Sequence, residues 1–144
     1  MPTATQIYKR LEDLSQRHDR LRKKFVDFFE LAGYLATGSF PIRGITFDGH
    51  IENNFFTVTF CGQTFHFSFS LSLDQAGASR GCVSCFYADP IDATKRKLVT
   101  EFSYSGTGVT DVQKPDDIED QITIDSDVGA VFLVCYCLHN GLTK

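Results

Sequence analysis

The chain has 144 residues, of which 42% are hydrophobic and 22% charged, with a formal net charge of −4. That is enough to build one domain with a real core. No apolar run approaches the ~20 residues that cross a bilayer, residues 1–10 lack the apolar stretch of a secretory leader, and the odd number of cysteines, five, points to reduced thiols in a cytoplasm rather than a disulfide framework.

The first element is a long helix. Thr3 or Thr5 is a suitable cap and Gly33 a suitable stop. Ile7, Leu11, Leu14, His18, Leu21, Phe25, Phe28 and Ala32 recur at alternating steps of four and three, the rhythm of a coiled-coil seam. About 28 residues at 1.5 Å each make a rod of roughly 40 Å. A compact chain of this size has a radius of gyration of only ~15 Å, so the rod is long enough to cross the domain, with overhang as one outcome. The positions flanking the seam are basic or neutral: Arg10, Arg17 and Lys24 on one side, Tyr8, Ser15 and Arg22 on the other. Two such helices would set arginine against arginine in either orientation, which disfavours a homotypic zipper. The expectation is a helix anchored by Phe25 to Leu31 whose first half offers its arginines to something acidic.

Four to five strands follow. Ile45, Phe47, Gly49 and Ile51 alternate with Thr46, Asp48 and His50, and Phe56, Val58 and Phe60 alternate with Thr57 and Thr59. From Thr64 to Leu73, phenylalanine and leucine alternate with His66, Ser68, Ser70 and Ser72, the pattern of a strand with one wet face. Gly62-Gln63 reads as a two-residue type II′ turn, 74–81 as a loop, Cys82 to Tyr87 as a strand ended by Asp89-Pro90, and Leu98 to Tyr104 as the last strand.

Residues 106–124 are irregular and acidic, a mobile loop or a contact surface. Asp111, Asp116, Asp117, Glu119, Asp120, Asp125 and Asp127 face a single Lys114 between 111 and 127, whereas residues 1–24 carry a net charge of +4. Such asymmetry suggests a basic contact surface or two segments that attract each other. Ser126 then caps a second helix that ends near Asn140-Gly141 and is apolar all round, so it needs cover on more than one side.

Chemistry-bearing patterns are weak by comparison. Cys82 and Cys85 have CxxC spacing, with Cys135, Cys137 and His139 as further notional zinc ligands. In a strand, however, i and i+3 point to opposite faces. Asp48, His50 and His66 have no nucleophile beside them, and Ser105 to Gly108 lacks the helix that a phosphate loop leads into.

The sequence therefore implies an α+β domain over 1–144. It comprises a helix over 1–33, an antiparallel meander over 42–105, the acidic stretch 106–124, and a buried helix over 126–141 packed on the sheet. The implied function is non-catalytic protein binding, of the inhibitor or immunity-protein kind, with no cofactor and no metal. Homodimerisation is expected through the last helix or the sheet face. The candidate contact residues are Arg10, Leu14, Arg17, His18, Arg20, Leu21 and Lys24, with Asp116, Asp117, Glu119 and Asp120. The competing readings are a ligand-binding or enzymatic pocket between sheet and helices, using His50, His66 or Tyr104, and nucleic-acid binding through the basic helix.

Overall fold

A computed structural model describes residues 1–38, 41–92 and 94–143; positions 93 and 144, within the expected spans 42–105 and 1–144, lie outside it. Helix α1 (Ala4–Ala32) is followed by the short α2 (Tyr34–Thr37), five strands β1 (Ile45–His50), β2 (Phe55–Phe60), β3 (Gln63–Leu73), β4 (Ser79–Ala88) and β5 (Arg96–Tyr104), and helix α3 (Asp127–Leu142). The strands form one antiparallel sheet in the order β1-β2-β3-β4-β5. Both long helices lie on one face of it, the arrangement expected of this α+β pattern.

The alternation read from sequence decides which face they cover. Phe56, Val58, Phe65, Phe67, Val83, Cys85, Phe102 and Tyr104 all point toward the helices and are buried. Phe25 and Phe28 of α1 meet them directly: Phe28 lies 5.6 Å from Phe56 and 6.2 Å from both Phe67 and Phe102, and Phe25 lies 5.6 Å from Phe69, centroid to centroid. Helix α3 adds Ala130, Leu133, Val134, Cys137 and Leu138 to the same core and contacts α1 as well as β5. Its opposite side is only partly covered: Val131, Phe132, Cys135 and Tyr136 keep some exposure, and Val128 is 63% exposed.

Several boundaries differ from the sequence reading. Thr3 caps α1 in a capping box with Gln6, as its position suggested. Gly33 closes α1 in the right-handed region rather than the left-handed one, so the chain runs straight on into α2. The β2–β3 turn is Cys61-Gly62, one residue earlier than expected. Both have positive φ (50° and 82°) and Phe60 pairs with Gln63, so the turn is type I′. Gly62 supplies one left-handed position, and Cys61 is held in the other by the pairing on either side. The expected 74–81 loop shrinks to 74–78, because β4 begins at Ser79. In β5 a bulge pairs Cys85 with Thr100 but Phe86 with Leu98, which turns Leu98 to the outer face.

Stretch 106–124 is irregular but fastened. Thr110 N–H donates to the Ile122 carbonyl (3.0 Å) and Ile124 N–H to that of Gly108 (2.9 Å), and Ile122 and Ile124 are buried. Their apolar side chains hold the segment against the core, which favours the contact-surface alternative over the mobile loop and leaves an acidic outer rim exposed.

One buried polar contact pins α1 to the sheet. The buried Tyr104 hydroxyl donates to the Leu21 carbonyl at 2.6 Å, and burial pushes its pKa well above the usual phenol range. Its ring fills the space over Gly81, where an added Cβ would overlap it. In chemical denaturation, Gly81→Ala is expected to cost about 1–3 kcal/mol by overpacking. Tyr104→Phe is expected to cost about 1 kcal/mol, one buried hydrogen bond, and Phe28→Ala about 3–5 kcal/mol. A Gly81→Ala variant as stable as the parent would contradict this placement.

Candidate protein-docking surface

Helix α1 is longer than the sheet beneath it. It is buried only from Leu21 onward, through Phe25, Phe28 and Ala32. Arg22 clamps it at the β1–β2 connection, donating to Asn54 Oδ1 and to the Ile51 carbonyl, each at 2.7 Å. His18, half-buried, lies 5.7 Å from Phe69. Leu14 and Arg17 then meet the tip of the β3–β4 hairpin, where they line a small cavity of about 90 Å³ with Arg10, Asp13, Leu73, Gly77 and Ser79. Before that point the sheet has ended, and residues 4–9, about 9 Å of helix, continue without it.

The seam does not stop where the sheet does. Ile7 and Leu11 prolong the line of Leu21, Phe25 and Phe28 but are 48% and 61% exposed. Leu73, at the hairpin end of β3, is exposed as well. The helix contains neither proline nor glycine, so nothing kinks the free end inward. Arg10, Arg17 and Arg20 are all exposed, and no side chain among the described residues forms an ion pair with them.

The structure divides the candidate residues. Arg10, Arg17 and Arg20 stand in solvent, and Leu14 and His18 border the hairpin joint. Leu21 is a core residue at 2% exposure and leaves the candidate surface. So does Lys24, whose Nζ lies 2.8 Å from Asp125 in a partly buried ion pair. That bridge is where the basic helix and the acidic stretch attract each other within one chain.

Asp116, Asp117, Glu119 and Asp120 are exposed and, among the described residues, unpaired with any cation. Three of them, Asp117, Glu119 and Asp120, line an open cavity of about 590 Å³ together with Ile118, Asp127 and Val128 at the start of α3. Ser126 caps that helix by accepting from Gly129 N–H at 3.1 Å, and Gly129 is seated so closely on the Thr123 carbonyl that no Cβ fits.

The other face of the sheet is bare of helices. It carries hydroxyls from Thr57, Thr59, Ser68, Ser70, Ser72 and Ser84. It also carries one ring stack, in which Phe55 lies between His50 at 4.7 Å and His66 at 4.3 Å. His66 is 8% exposed, on the hydrogen-bonded rather than the solvated side of what its polar face allows, because Phe55 covers it and Arg96 approaches to 3.4 Å. Burial first, then the charges of Arg96 and His50, lower its pKa to about 4. The pocket expected between sheet and helices is not formed by its three named residues: His50 and His66 are on the bare face, and Tyr104 is inside the core on the other.

The thiols behave as small apolar side chains. Cys82 lies on the bare face opposite Ser103, while Cys85 is buried on the helix side, as strand geometry requires of CxxC. The Cys85 thiol and burial together push Cys137 well up, and burial raises Cys82 and Cys135, the reverse of an activated nucleophile. Among the described residues no group of three or more His, Cys, Asp or Glu could hold a metal ion, and no helix is long and apolar enough to cross a membrane. Ser105 to Gly108 is a turn closed by Gly108 N–H on the Ser105 carbonyl at 2.9 Å. Sequence reasoning missed the Arg22–Asn54 clamp and the hairpin tip as a wall of the surface. Neither has a local signal, since both depend on where α1 lands on the sheet.

Comparison with known protein families, curated proteins and solved structures gave no match to this chain.

The His66 shift has a sign that can be checked. The ordinary value of 6.5 falls to about 4 in the fold, so between those two values the unfolded chain binds a proton that the native one refuses. Stability is therefore full above pH 6.5 and declines as pH drops toward 4. Thermal melts across that window should show this decline, and His66→Gln should flatten it. An identical pH dependence in the variant would refute the assignment.

Proposed function

We propose that this chain is a non-catalytic, cytoplasmic protein-binding module, of the inhibitor or immunity-protein kind, which engages its target with the free end of α1 and the adjoining hairpin tip. The observation that carries the reading is the apolar seam continuing past the sheet. Ile7 and Leu11 remain exposed in line with the core residues, flanked by arginines that form no ion pair among the described residues. Exposed apolar side chains ringed by unpaired cations suit a target with an apolar groove and an acidic rim. The free thiols of Cys61, Cys82, Cys85, Cys135 and Cys137 accord with a reducing compartment. The anchor from Leu21 to Ala32 fixes the direction in which the helix end projects toward the target.

Affinity capture from the host tests this with two variants, Arg17→Glu/Arg20→Glu and Ile7→Ser/Leu11→Ser. All four positions are exposed or at the overhang, so folding stability should change by less than about 0.5 kcal/mol per site. The expected result is a protein retained by the parent and lost from both variants. Equal retention by all three would overturn the reading. Nuclease-sensitive retention of nucleic acid in place of protein would transfer the arginines to phosphate binding.

A further inference from the structure

The free end of α1 and the cavity over 117–129 are opposite in chemistry. One presents Ile7 and Leu11 among unpaired arginines. The other presents Ile118 and a 63% exposed Val128 among the carboxylates of Asp117, Glu119, Asp120 and Asp127. We propose that the helix end of each chain docks in the acidic cavity of a second copy, reciprocally, so that the assembly closes at two chains.

Pairing within one chain is barred by stiffness. The rod is fixed to the sheet from Leu21 onward and has no kink residue before it, so its first four turns cannot fold back onto 116–127, and the internal attraction ends at Lys24–Asp125. A seam-to-seam pairing of two rods would oppose like charges at Arg10 and Arg17, whereas the acidic cavity reverses the sign. The N-terminus of α3, itself positive, does not spoil the match, because the Ser126 hydroxyl and the Asp127 carboxylate already answer it. The cavity of about 590 Å³ has room for the two aliphatic side chains the rod leaves exposed. Reciprocal exchange about a two-fold axis uses both surfaces of both copies and leaves no open end from which a filament could grow.

Sedimentation velocity of the full chain, at tens of micromolar, tests this. At about 0.05 M salt the expected species has twice the 16.1 kDa chain mass. At about 0.5 M, where surface charges are screened, the association should weaken at least ~10-fold. Arg17→Glu/Arg20→Glu and Asp117→Lys/Asp120→Lys should each be monomeric at low salt, with far-UV circular dichroism confirming the fold. Mixing the two should restore a dimer, since one variant keeps the cavity and the other keeps the rod. A parent chain that is monomeric at low salt, or variants that dimerise like the parent, would overturn the proposal. A monomer that still captures a foreign protein through the rod leaves the proposed function standing and ends this inference alone.

Discussion

Phe25 and Phe28 rest on the phenylalanines of β2 and β3 with no exposed surface of their own. Each buried ring contributes about 1.5–3 kcal/mol by area alone, and edge-to-face contacts such as Phe28 on Phe102, at 90° and 6.2 Å, add to that. This contact fixes where α1 lies along the sheet. Once it is made, the length of the helix and the length of β3 decide the rest: the sheet ends near Leu73, and the helix does not. The overhang is thus a consequence of register between a helix and a strand that face each other.

Polar contacts sharpen the register without creating it. Tyr104 ties the Leu21 carbonyl, Arg22 reaches Asn54 and Ile51, and Lys24 reaches Asp125. Three consecutive parts of the helix surface, within two turns, are fixed to three different parts of the chain. Before Leu21, side-chain contacts thin to His18 on Phe69 and the small joint at the hairpin tip. The same helix is therefore a structural element at one end and an unpartnered surface at the other.

Much of this was legible in the sequence because two periodicities carry it. The four-three rhythm from Ile7 to Ala32 marked the helix and its buried side, and the unbroken alternation from Phe65 to Leu73 marked the face that helix would cover. Period alone does not say which part of a seam is buried. Leu11 and Phe25 occupy equivalent positions two heptads apart, yet Phe25 is core and Leu11 is 61% exposed, since only the extent of the sheet distinguishes them. Lys24 likewise looks the same as Arg17 in the sequence, and only the fastening of 106–124 through Ile122 and Ile124 brings Asp125 to it. His66 shows the converse: a polar strand face does not say how far a neighbouring ring, here Phe55 of β2, covers its side chain.

The division of α1 into an anchored and an unsupported half is the claim on which the functional reading depends. Amide hydrogen exchange resolved along the helix, measured at about 0.5 M salt to screen association, addresses it directly. The account predicts that amides from Phe25 to Ala32 exchange only with global unfolding, while those before Asp13 exchange through local fraying, orders of magnitude faster. Uniform protection from Tyr8 to Ala32 in the isolated chain would mean that something in the fold supports the whole helix, and would contradict it.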